Sequence, residues 1–196
     1  AVSHNVVGDL PGGAKVGPQI ILGGHLDTHD IAPGADDNGS GVVCALEAAR
    51  ALLAAGAVPP ARVRLVLFTA EELGLLGAEA YARDHDAELD DVRIVLNADG
   101  VGVGGGMGIC TQQWPELTAA LRAHMLEVDD TANVNDGIVP FSDHFPFALK
   151  GVPAVMVSGG PGDSGRGFGH TACDTVDKVS SVRLQGTSLN LARLAL

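Results

Sequence analysis

The sequence predicts a single three-layer α/β/α domain on a mainly parallel, mixed central sheet. Three observations carry that expectation. Short apolar segments of strand length recur between longer stretches with helical spacing. Hydrophobic residues make up 46% of the 196-residue chain and charged ones 18%, enough for one packed core and incompatible with extensive disorder. No repeat, linker or low-complexity tract divides residues 1–196, so one domain is expected.

The first elements are HNVVGDL (4–10) and QIIL (19–22), separated by the Gly- and Pro-rich PGGAKVGP; they read as neighbouring strands, the first at a sheet edge. RVRLVLFT (62–69), VRIVLNA (92–98) and VPAVMVS (152–158) supply further strands. A helix begins near Asn38 or Ser40, either able to cap it, with Val42, Leu46, Ala49 and Leu53 as its inner stripe and Gly56 and Pro59-Pro60 as its stop. A second helix follows Gly74, carrying Leu76, Ala80 and Arg83. The third, TQQWPELTAALRAHMLEV, places Pro115 in its first turn and Leu117, Leu121 and Met125 inward. Strands alternating with helices in this way build a parallel sheet covered on both faces.

Composition excludes several classes of function. Twenty-four acidic against twelve basic side chains leave a net charge of -12, and the Lys and Arg are scattered singly, so nucleic acid is not an expected partner. No apolar run reaches the roughly 18 to 20 residues of a membrane span. The opening AVSHNVVGDL lacks the charged-then-apolar layout of a signal peptide, and a soluble chain is the expectation. Cys44, Cys110 and Cys173 are odd in number without CxxC spacing and read as small buried residues. GDSG at 162–165 imitates the nucleophile segment of serine proteases, which requires an all-β fold and a separately placed His and Asp. The glycine-rich GVGVGGGMG after Asp99 lacks the GK[ST] of a phosphate loop and reads as a turn between strands.

The segments that follow the strands are not apolar. GGHLDTHD follows QIIL, AEELG follows RVRLVLFT, DG follows VRIVLNA, and GHTACDT stands late in the chain. Functional groups of open α/β sheets gather at such strand ends. His25 offers an imidazole, while Asp37, Glu71, Glu72 and Asp99 offer hard oxygen donors, a mixture that suits zinc or another first-row divalent ion better than calcium. Pro33 and Gly34 let the intervening loop bend back and bring Asp37 to the mouth of the sheet. Each element has an ordinary explanation alone: paired acids start helices, and Asp-Gly makes turns. Four independent strand ends with the same chemistry do not.

GGHLDTHDIAPGADDNGSG, VLFTAEELGLLGA, LNADG, SDHFPF and GHTACDT, in this order, resemble the M28 family of di-zinc aminopeptidases and related exopeptidases, over about residues 18 to 180. The opening and HLDTHD resemble the branch around carboxypeptidase Q as well as the bacterial aminopeptidases. The resemblance implies that His25 and Asp99 bind one zinc, Glu72 and His170 the other, and Asp37 bridges them, with cobalt or manganese as possible substitutes. It implies Glu71 as general base toward a water bridging the two ions, and Asp27 as the group orienting the His25 imidazole through its distal nitrogen. The expected reaction is hydrolysis of the N-terminal peptide bond of a peptide with a free amine, which the dense carboxylates help to anchor. A secreted or extracytoplasmic location, and additional chain before residue 1, are also implied.

The chain departs from the family in places. Some members carry an aromatic residue just before the last zinc-binding His, where Gly169 stands here. The loop GGPGDSGRGFG is a candidate wall of the specificity pocket, with Phe168 or Arg166 entering it. Asp143 and His144 of SDHFPF read as groups behind the ligands or in the pocket, and Ser142-Asp143 reads equally as the cap of a helix start. Asn38-Gly39-Ser40 matches a glycosylation acceptor that would block the site. His4, His29, His85 and His124 are read as structural or exposed. The alternative functions are a carboxypeptidase Q-like dipeptidase, a single-zinc glutaminyl cyclase, against which a full second ligand set argues, and a non-catalytic receptor or scaffold domain.

Overall fold

Successive strand residues point to opposite faces of a sheet, and here each face is apolar and each is covered by helices. A computed structural model describes residues 2–11, 17–128, 132–159 and 167–196. Among these, seven strands form one mixed sheet: β1 (Val6–Asp9), β2 (Gln19–His25), β3 (Arg62–Phe68), β4 (Val92–Ala98), β5 (Met107–Cys110), β6 (Asn133–Asn135) and β7 (Ala154–Gly159). Their spatial order is β1-β3-β2-β4-β7-β5-β6. The central four strands run parallel, while β1 and β5 run antiparallel to β3 and β7.

Among the described residues five α-helices complete the layers: α1 (Gly41–Ala54), α2 (Leu76–Asp84), α3 (Pro115–Glu127), α4 (Phe145–Leu149) and α5 (Ser181–Leu194). Leu22, Val63, Leu96 and Val155 face Cys44, Ala45, Ala48 and Leu52 of α1, Leu121 of α3 and Leu191 of α5. Ile21, Val66, Phe68 and Val95 face Ala78 and Tyr81 of α2 and Phe147 of α4. Phe68 anchors that second layer, edge-on to Phe147 at 6.0 Å and to Tyr81 at 6.2 Å between ring centroids. No described helix is long and apolar enough to cross a membrane.

Three expectations are corrected. β1 does lie at the sheet edge, but it pairs with β3 instead of β2. In α1 the buried stripe is Gly41, Cys44, Ala45, Ala48, Ala49 and Leu52, whereas Leu46 and Leu53 are exposed. Small side chains at Gly41, Cys44, Ala45, Ala48 and Ala49 let this helix lie close to the sheet, with Leu52 buried near its end and Leu46 and Leu53 turned away. Cys173 is exposed, unlike Cys44 and Cys110. GDSG, Arg166 and most of the glycine-rich loop before His170 lie outside the described residues.

The chain leaves β2 for β3 on one side and returns to β4 on the other, so the crevice of the sheet opens at the carboxyl end of β2. The start of α1 is pressed into this crevice. A Cβ at Gly41 would lie 2.1 Å from the Ala98 carbonyl oxygen and 2.3 Å from Asn38 Oδ1. Gly41→Ala is therefore expected to destabilise the fold by about 3 kcal/mol. Gly8→Ala, where a Cβ meets nothing within 4 Å, should stay within about 0.5 kcal/mol. Chemical denaturation of the two variants side by side checks this.

Candidate metal centre

Each strand that borders the crevice ends in a donor. His25 is the last residue of β2, Glu71 and Glu72 follow β3, and Asp99 follows β4. Asp37 comes from the loop between β2 and α1, and His170 from the segment after β7. The loop and strand-end donors meet in two groups, His25–Asp37–Asp99 and Asp37–Glu72–His170, each with its ligand atoms within 4.8 Å of one another. His25 Nε2 lies 3.2 Å from Asp37 Oδ1 and 3.4 Å from Asp99 Oδ1. His170 Nε2 lies 3.1 Å from Asp37 Oδ2 and 2.9 Å from Glu72 Oε2. Asp37 thus turns one carboxylate oxygen to each group. Glu71 is in neither group, with Oε2 4.0 Å from His25 Nε2.

The donors are held from behind, largely by residues distant in sequence. Asp174 accepts hydrogen bonds from the Asp36 and Asp37 backbone N–H groups at 2.7 and 3.0 Å. Thr28 donates its hydroxyl to the Asp37 carbonyl at 2.9 Å. Asp36 accepts from the Gly102 N–H at 2.7 Å. Ser142 donates to Asp99 Oδ2 at 2.5 Å and accepts from the Asn97 side-chain amide at 2.7 Å. Asn38 donates to the Ala98 carbonyl and accepts from the Gly41 N–H. Its amide is buried in this bonding, which leaves the glycosylation sequence without an accessible acceptor.

Asp27 meets His25 through its backbone and not through its side chain. His25 Nδ1 is 2.9 Å from the backbone carbonyl of Asp27, and 3.9 Å from its carboxylate. The carboxylate instead accepts from the backbone N–H groups of Glu71 and Glu72 at 3.1 and 3.3 Å. It fixes the acidic pair, while the carbonyl orients the imidazole. The chain turns immediately after β2, which brings that carbonyl to the ring and aims the side chain across to the loop after β3.

Four carboxylates converge on two imidazoles, and the electrostatics follow. Burial raises the Glu71 pKa, and Asp99, Glu72 and Asp37 add to this against His25, pushing it up to about 8. Burial and Asp37 likewise raise Glu72. Burial alone would lower His25, yet bonding to Asp37 and Asp99 prevails and pushes it up to about 12. Burial would raise Asp99, but His25 and Ser142 hold it below its usual range. Glu72 Oε1 is buried with no hydrogen-bond partner. Such a carboxylate cluster with an unmet buried oxygen matches the needs of divalent cations, whose charge offsets the desolvation of the acids. The mix of imidazole and carboxylate donors fits zinc.

Two cavities flank Glu72. One of about 420 Å³ is walled by Ser3, Asp27, His29, Asp30 and Leu73. The other, about 370 Å³, lies between Glu71, Glu72, Leu75, Pro140 and Phe141. Behind them Asp143 and His144 are fully buried. Burial, reinforced by Glu71 and Asp99, raises Asp143 well above its usual range. Burial lowers His144 to about 4, with Asp99 and the Val139 backbone acting the other way.

His144 is therefore neutral in the fold while the unfolded chain protonates it near its usual value of 6.5. Below that pH the unfolded state binds the extra proton, so stability falls with pH until the folded form titrates near 4. The contribution is about 3 kcal/mol. His144→Gln should flatten the acid limb of stability between those values relative to wild type, as read by denaturation at a series of pH values. The neighbouring Asp143, raised in the fold, contributes with the opposite sign and is common to both proteins.

The chain is 28% identical over 205 residues to leupeptin-inactivating enzyme 1 of Streptomyces exfoliatus, covering 96% of the chain and 47% of that protein. It superposes on a zinc aminopeptidase from Bacillus subtilis with a TM-score of 0.82 and 29% identity, over 97% of this chain and 49% of that one. A glutaminyl cyclase from an Acidobacteriales bacterium matches with a TM-score of 0.76 and 26% identity, over 97% and 72%. The chain spans about half the length of the curated relatives it matches first, 47% and 50%. The model of peptidase family M28 matches residues 5–195, which takes in every donor of both groups and every strand of the sheet. By that match and by its fold, the chain belongs to peptidase family M28.

Proposed function

We propose that this chain is the catalytic domain of a zinc-dependent exopeptidase that releases the N-terminal residue of peptides. The observation that carries the reading is the pair of donor groups sharing Asp37. His25 and Asp99 would hold one zinc, Glu72 and His170 the other, and Asp37 both. Two such ions, when bound, make water acidic enough to deprotonate near neutral pH and polarise the scissile carbonyl.

The chain's own residues do the rest. Glu71 stands beside both groups without belonging to either, and Asp27 fixes its backbone. Its carboxylate takes a proton from the attacking water as the water oxygen bonds to the carbonyl carbon. It then delivers that proton to the departing amine nitrogen as the C–N bond breaks. The surrounding carboxylates favour a substrate whose free amine is cationic. Leu75, Pro140 and Phe141 form an apolar wall beside Glu71 for the side chain of the residue released.

Chelation tests the reading with aminoacyl p-nitroanilides. Removal of zinc should abolish hydrolysis of the leucyl compound and zinc should restore it, while the N-acetylated compound stays uncut. Turnover unaffected by chelation, or equal cleavage of the acetylated compound, would contradict the proposal. Ring closure of a glutaminyl peptide without release of a residue would place the chain with the cyclases.

A further inference from the structure

The two imidazoles of the centre come from different backbone, one from a strand and one from a turn. His25 ends a central strand, is 1% exposed and has Nδ1 bound by the Asp27 carbonyl. His170 lies in a run of turns, has a left-handed backbone with φ of 61°, and is 30% exposed. Against its ring lies His29, with ring centroids 4.9 Å apart and planes inclined by 26°. His29 belongs to neither donor group.

The segment that carries His29 is well anchored. The Leu26 N–H donates to the Phe68 carbonyl at 2.8 Å, the Thr28 hydroxyl to the Asp37 carbonyl at 2.9 Å, and the Ala32 N–H to the His29 carbonyl at 2.8 Å. Thr28 also abuts Gly34, where a Cβ would lie 2.7 Å from the threonine Cβ. The stack therefore joins a ligand presented by a turn to the loop that carries the shared ligand Asp37. A cation bound to one imidazole draws electron density from it, which favours a neutral aromatic face against that ring.

We propose that His29 is a positioning residue for His170. Its ring face holds the His170 imidazole in the orientation from which Nε2 meets Asp37 and Glu72, and so sets the affinity of the second ion position. The inference rests on the reading that His170, Glu72 and Asp37 bind zinc. Because the ring face is what matters, phenylalanine should replace histidine at this position, and alanine should not.

The test is zinc titration of the metal-stripped full chain against a chromophoric chelator, for wild type, His29→Ala, His29→Phe and His170→Ala. Wild type should bind two ions. His29→Ala should bind the first with wild-type affinity and the second about tenfold more weakly, the scale of groups that orient ligands. His29→Phe should remain within about twofold of wild type, a difference under 1 kcal/mol. Second-ion affinity unchanged in His29→Ala would overturn the proposal, as would His29→Phe behaving like His29→Ala, which would assign the effect to a ring nitrogen. Equal ion counts in wild type and His170→Ala would overturn the zinc reading and this inference with it. Second-ion weakening in His29→Ala but not in His29→Phe, with His170→Ala reduced to one ion, supports both.

Discussion

Glu71→Gln is expected to lower kcat by about 10²- to 10⁴-fold while two zinc ions remain bound. Glutamine keeps the size of the side chain and the backbone N–H that Asp27 accepts, so the loop after β3 should not move. It removes the oxygen that can carry a proton. Glu71 lies outside both donor groups, so metal content should be indifferent to the change. The adjacent Glu72 provides the contrast, because its Oε2 lies 2.9 Å from His170 Nε2. Glu72→Gln should lose zinc first and activity as a result. Steady-state kinetics with metal analysis of the same samples separates the two, and a kcat for Glu71→Gln within a few-fold of wild type would remove the base from this position.

Asp37→Ala should weaken zinc binding at both positions together, by more than about 100-fold, beyond the 10- to 100-fold typical of residues that merely orient ligands. One oxygen of Asp37 faces His25 at 3.2 Å and the other faces His170 at 3.1 Å, so no other described donor can substitute for it in both groups. The backbone bonds from Asp37 to Asp174 and Thr28 survive the change, and the loop should keep its course. Isothermal titration with zinc reads the outcome. Loss at one position alone would show that the two groups do not share this ligand.

The central sheet and the donors were legible in the sequence for the same reason. In β2, β3 and β4 an apolar run ends abruptly in His, Glu or Asp, and both the run and its ending are short-range patterns. The supports were not. Asp174 reaches Asp36 and Asp37 across 138 and 137 residues, and Ser142 reaches Asp99 across 43; no local spacing announces such pairings. Sequence spacing could not say whether the carbonyl or the carboxylate of Asp27 faces the His25 ring, and the carbonyl does.

The peripheral elements were illegible for physical reasons too. β6 has three residues, NVN, and depends on its partner β5 instead of its own propensity. Helix α5 buries Thr187, Ser188 and Asn190 beside Leu191 and Ala192, so it lacks a clean apolar stripe. α1 carries apolar residues on more than one side, and the face with Cys44, Ala45, Ala48, Ala49 and Leu52 won the contact with the sheet over the one with Leu46 and Leu53. His29 carried no local signal because its partner His170 lies 141 positions away, on another segment.

Elemental analysis of the purified chain, supplemented with zinc and freed of loosely held ions, tests the paired centre most directly. The shared position of Asp37 between two donor groups predicts two zinc ions per chain. One ion per chain, or none, would contradict it.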